Sequence, residues 1–129
     1  MDAGEFVARV RERGEYPDRE EAERVCAAVL SVLGHRLGLG EPEDLAAQLP
    51  SPLAEAVLSD AGTSGHTWGV EEFLRHVAEA TGGTVDTARL DASAVLSTLA
   101  EAVHGGELNQ LISQLPPAYT RLFGLPGLA

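Results

Sequence analysis

The sequence contains no lysine. Its nine cationic side chains are all arginine, set against twenty Asp and Glu, and the formal net charge is -11. A field of that sign repels phosphate backbones and anionic lipid surfaces, which argues against nucleic acid or a membrane as partner. The missing lysine, beside abundant Ala, Gly and Leu, reads as the coding bias of a GC-rich bacterial genome. There is one cysteine, Cys26, so an internal disulfide is excluded and a reducing compartment is expected. Aromatic residues make up only 5% of the chain, so Leu, Val and Ala must build the core. No apolar run approaches the roughly 18 residues of a membrane helix. The start, Met1-Asp2-Ala3-Gly4-Glu5, lacks the basic and apolar regions of a secretion signal. These absences together lead us to expect a soluble cytoplasmic protein.

What the sequence does have is an internal repeat. Ala28-Val29-Leu30-Ser31 returns as Ala94-Val95-Leu96-Ser97, Gly40-Glu41 as Gly106-Glu107, and Gln48-Leu49-Pro50 as Gln114-Leu115-Pro116, all at a spacing of 66. Upstream the spacing is 67, pairing Glu5-Phe6 with Glu72-Phe73 and Val10 with Val77. A repeat of this kind decides architecture before any single residue is considered. Each copy is too short to bury a secure core alone, so the two should pack on each other.

Each copy reads as four helices. The first spans about residues 3 to 13, with Phe6, Val7 and Val10 on one side. Its counterpart, near 69 to 80, carries Phe73, Leu74 and Val77. A long helix follows, about 18 to 37, in which Ala22, Val25, Cys26, Val29, Leu30, Leu33 and Leu37 recur at helical intervals. The matching stripe is Ala88, Ala92, Val95, Leu96, Leu99 and Val103. Asp18 and Glu21 have capping-box spacing, and Thr84 stands where Asp18 stands. Gly38 and Gly40, then Gly105 and Gly106, should end the long helices through left-handed turns. A short third helix (Leu45 and Leu49; Leu111 and Leu115) runs to Pro50 or Pro116. A last one carries Leu53, Ala56 and Val57, or Tyr119, Leu122 and Phe123.

The expectation is therefore an all-α single helical bundle, built from two homologous four-helix repeats related by pseudo-two-fold symmetry. Residues 1–58 and 69–123 are the repeats, 59–68 the linker, and 124–129 an apolar C-terminal tail. The Glu-Phe openings, the capped long helix, the Gly-Glu turn and the doubled Gln-Leu-Pro make the chain resemble a bacterial family, domain of unknown function 2267. The resemblance runs from about Phe6 to Phe123. It implies a small all-helical bacterial protein and brings no catalytic residues to carry over.

Catalytic signals are scarce. Glu20, Glu21, Glu41, Glu43, Asp44, Glu71, Glu72, Asp86 and Glu107 all fall in first helical turns, where carboxylates complement the helix dipole. His35, His66, His76 and His104 form no zinc-binding spacing, and His35 and His104 read as cations near the ends of the long helices. Cys26 lies in an apolar stripe, as a buried and inert thiol would. Arg9, Arg11 and Arg13 are diluted by Glu5, Glu12 and Glu15 and read as a solvated face, on which Arg11 should matter little. No catalytic, cofactor-binding or metal-binding residue is assigned, and no cofactor is expected.

Three residues stand out as contacts for a protein partner: Trp68, before a helix start, and Leu125 and Leu128 in the apolar tail. Trp68 is also placed to staple onto the helix it introduces, and the tail to fold back on the core. The reading that results is a non-enzymatic protein-interaction or scaffold module, monomeric or homodimeric. The alternative is a small-molecule or metal-binding protein, enzymatic or not, with its site between the two repeats. A polar cleft gathering His35, His104 or carboxylates from both halves would favour the alternative.

Overall fold

The chain folds as helices only among the residues described by a computed structural model, which are 1–38, 40–59 and 66–125. In order these are α1 (Ala3–Gly14), α2 (Arg19–Arg36), α3 (Glu41–Ala46), α4 (Leu53–Leu58), α5 (Val70–Thr81), α6 (Val85–Ala102) and α7 (Gly105–Ser113). A 3-10 helix, Pro117–Arg121, closes the series. Residues 60–65 of the expected linker, and Leu128 with most of the tail, lie outside the described residues.

The helix stripes pack into one core. Every residue of the two long-helix stripes is buried, Leu33 and Leu99 completely, and the buried apolar residues of both halves form a single cluster. The halves are interlocked and not merely abutted. The first-half helix α1 packs on α6, and α2 packs on both α5 and α6 as well as on α1 and α4. With few aromatics available, Phe6, Phe73, Tyr119 and Phe123 each fill a fully buried position, and Phe73 meets the Tyr119 ring edge-on at 5.3 Å. One glycine permits the closest approach. Gly34 in α2 lies under the backbone carbonyl of Val57 in α4, and a Cβ there would overlap it.

Local details depart from the sequence expectation in four places. The long helices do not end on left-handed glycines. Leu37 and Val103 end them in extended conformations, because burying those side chains pulls the chain into the core. The left-handed residue Gly40 instead opens α3, and Gly105 and Gly106 begin α7. The capping box of α2 is half made, since Asp18 accepts from the Glu21 amide while the Glu21 side chain turns to Arg24. The full box is in α6, where Thr84 and Thr87 exchange hydrogen bonds. The last element is a 3-10 helix and not an α-helix, for only five residues separate Pro116 from the turn at Leu122, and such short runs favour the tighter coil.

The fourth departure concerns the arginines. Arg9 and Arg13 stay exposed on a solvated face, as expected, but also reach across to Glu101 on α6, at 2.8 and 2.5 Å. Arg11 donates to the carbonyls of Tyr16 and Pro17, so it fastens the turn between α1 and α2. That turn begins with Glu15 at φ 55, a left-handed position for which Gly82 serves after α5. Gly82 suits it better, having no Cβ.

Candidate functional site

Apart from Thr98, the polar residues that the fold buries gather in three places, and each joins parts of the chain far apart in sequence. The first lies between α3 and α7. Glu41, the first residue of α3, and Glu107, in the first turn of α7, are both buried. Glu41 Oε2 accepts from Gln110 Nε2 at 3.3 Å, and Glu107 Oε1 accepts from Gln48 Nε2 at 3.4 Å. The other two oxygens, Glu41 Oε1 and Glu107 Oε2, are buried without a hydrogen-bond partner among the described residues. Burial, the neighbouring Glu41 carboxyl and the charge of Asp44 push the Glu107 carboxyl up to about 7. Two carboxyls in this relation cannot both ionise without cost.

Around the pair runs a reciprocal set of bonds. Gln48, from the first Gln-Leu-Pro, accepts from the His104 amide through its Oε1. Gln114, from the second, accepts from the Gly38 amide through its Oε1. Gly38 and His104 follow the extended residues that end α2 and α6, so each glutamine satisfies an amide left open where the other half's long helix stops. His104 itself does not sit on the C-terminus of α6 as a cation. It is the N-cap of α7, and its Nδ1 accepts from the Glu107 amide, which requires that nitrogen to be unprotonated. His35 does lie in the last turn of α2.

The second place surrounds Trp68. Its ring is sandwiched between His66, at 4.7 Å, and His76 of α5, at 3.8 Å, so it packs on the helix it introduces and is half-buried. Its carbonyl accepts from Arg36 Nε and from the Tyr119 hydroxyl. Arg36 is buried, also donates to the His66 carbonyl, and lies over the Tyr119 ring at 5.6 Å. The guanidinium thus pins the segment entering α5 onto the end of α2. Leu125 is half-buried against the core and donates its amide to the Thr120 carbonyl, so the start of the tail folds back.

The third place is a hydrogen bond of 2.5 Å from the Tyr16 hydroxyl to Asp91 on α6. Burial pushes the Tyr16 hydroxyl and the Asp91 carboxyl upward, the latter against the pull of its hydrogen bond to Tyr16. Sequence reasoning missed Asp91, Arg36 and the special position of Glu41 and Glu107. A signal existed only for the last two, in the recurrence of Gly-Glu at the repeat spacing.

No group of three His, Cys, Asp or Glu side chains able to hold a metal ion occurs among the described residues. Neither Glu41 nor Glu107 lines any of four surface clefts among the described residues. The one beside Cys26, about 130 Å³, is walled by Val7, Ala27, Pro52 and Leu53. Cys26 is buried there, and burial pushes its thiol up to about 12. A thiol so protonated is a poor nucleophile. Native protein is accordingly expected to label with a maleimide far more slowly than protein in urea, and equal rates would contradict this placement.

An all-helical fold closed by reciprocal glutamine bonds, with a carboxyl pair between its short helices, defines the structural class. By its sequence the chain belongs to the family described as "Uncharacterized conserved protein (DUF2267)", whose model matches residues 3–122. No curated protein matches the chain.

Proposed function

We propose that the protein is a non-enzymatic interaction module, built from two copies of one helical unit, that engages a neutral or basic protein surface. The observation that carries this reading is where the cations go. Arg9 and Arg13 bind Glu101, Arg19 lies near Glu23, Arg24 binds Glu21 and Arg89 binds Glu71. Arg11 and Arg36 are held by backbone carbonyls. Seven of the nine arginines are thus engaged within the fold, and the carboxylates left over set an acidic surface field. Such a field steers basic partners and disfavours nucleic acid within about 8 Å at physiological salt.

The two-copy architecture is supported by helix lengths, 12 and 18 residues for α1 and α2 and again for α5 and α6, and by the reciprocal Gln48 and Gln114 bonds. Trp68 remains the candidate contact, together with Leu125 and Leu128. No helix among the described residues is long and apolar enough to cross a membrane. The second reading, a metal or small-molecule site between the halves, has the Glu41 and Glu107 pair in its favour. The lack of a group of three possible ligands among the described residues weighs against it.

The test is capture from native cell extract at low and high salt, with the intact protein, with Trp68→Ala, and with residues 126–129 removed. Retention of one basic or neutral protein, weakened at least severalfold by salt and by either change, is expected. A shift of DNA at moderate salt, or no salt-sensitive partner, would overturn the reading.

A further inference from the structure

The buried carboxyl pair carries an inference independent of any partner. Glu41 and Glu107 stand on different short helices in different halves, and the bridge between α3 and α7 is built of side chains. Each carboxyl has one oxygen bonded by a glutamine amide and one buried without a partner among the described residues, and Glu41 is near enough to Glu107 to weigh on its ionisation. Neither remaining oxygen meets a donor among the described residues, and one proton shared between the two carboxyls would satisfy both.

On α3 the other titratable groups are Glu43 and Asp44, of which Asp44 adds negative charge. At the start of α7, the His104 Nδ1 is already an acceptor. At the end of α2, which packs on α3, Arg36 is turned to the carbonyls of His66 and Trp68, and the His35 carbonyl accepts from the His66 amide. On α4, Glu55 accepts from the Ser51 hydroxyl.

We propose that Glu41 and Glu107 hold one shared proton and act as a proton-operated latch, which keeps α3 and α7 together when occupied and releases them when the proton leaves. A carboxyl whose folded-state pKa is raised gives stability that is complete below its unfolded value, near 4.5, and lost as the pH rises through about 7. The latch therefore closes on the acid side of neutrality. Release places two like charges in a buried space and separates the helices that cover Leu45 and Leu111, both fully buried in the closed form. The device binds a proton and needs no other ligand.

The test compares the intact protein with Glu41→Gln and Glu107→Gln in urea titrations between pH 6 and 8.5. The wild-type folding constant should fall roughly tenfold over that range, as a carboxyl titrating near 7 requires. Either glutamine variant should be nearly flat, because its amide donates to the remaining carboxylate with no proton to lose. A wild type as flat as the variants, or variants with the full fall, would overturn the proposal. Should a variant fail to fold, carbon NMR of glutamate-labelled wild type decides alone. One carboxyl titrating near neutrality supports the latch, and all carboxyls titrating below about 5 refute it. If millimolar calcium, magnesium or manganese at pH 8 stabilises the wild type but not the variants, the pair is a cation site and the latch is wrong.

Discussion

Leu33→Ala and Leu99→Ala are each expected to cost about 2–5 kcal/mol in chemical denaturation, the range for a buried leucine whose cavity is only partly refilled. Both side chains are completely buried in the last turns of the long helices, and α2 and α6 pack on each other as well as on α5. The void left by either would therefore open inside the core that the two halves share, where no loop can collapse into it. Arg75→Ala is the control, since Arg75 is exposed on α5, and surface changes of that kind stay within about 0.5 kcal/mol. Arg11 would be a poor control because of its bonds to Tyr16 and Pro17. Stabilities equal to wild type for both leucine variants would mean that the stripes do not meet where the structure places them.

Gly34→Ala should destabilise although alanine is the better helix former by about 1 kcal/mol. The added methyl meets the backbone carbonyl of Val57, which cannot rotate aside as a side chain would. To accept it, α4 must shift as a unit from α2, its most extensive packing partner. Overpacking costs about 1–3 kcal/mol and occasionally more, and a clash with backbone belongs at the upper end. The corresponding position in the second half is Ala100, a helical residue that is only partly buried. Ala100→Gly should lose only the helical preference of about 1 kcal/mol. Thermal or urea unfolding of both variants measures the difference. Gly34→Ala more stable than wild type would show that α4 is free to move.

The periodic apolar stripes make most of this architecture legible in the amino-acid order itself. Stripe residues are numerous and their spacing is enforced along many turns, so one ambiguous position does no harm. The ends of elements are different. Whether Gly38 or Leu37 terminates α2 depends on which side chain the core can take, which is a property of the packed molecule and not of the local sequence. The same holds for the polar contacts. Glu41 and Glu107 satisfy the ordinary rule for first-turn carboxylates, and their burial arises only when α3 and α7 are brought face to face. Arg36 and Asp91 carry no local mark at all, since their partners at Trp68 and Tyr16 are 32 and 75 residues away.

The two glutamine bonds have a consequence that concerns origin. Gln48 reaches the amide of His104, and Gln114 reaches the amide of Gly38, so each side offers what it receives. That reciprocity is the property of an isologous contact between identical subunits. Were one half a separate chain, it could meet a copy of itself in this way, and a tandem of two halves would make the contact intramolecular. Once joined, the sides are no longer bound to stay alike. At the repeat spacing Gly38 stands beside His104, Asp44 beside Gln110 and Glu21 beside Thr87, while the two glutamines and the two glutamates are the same residue in both halves.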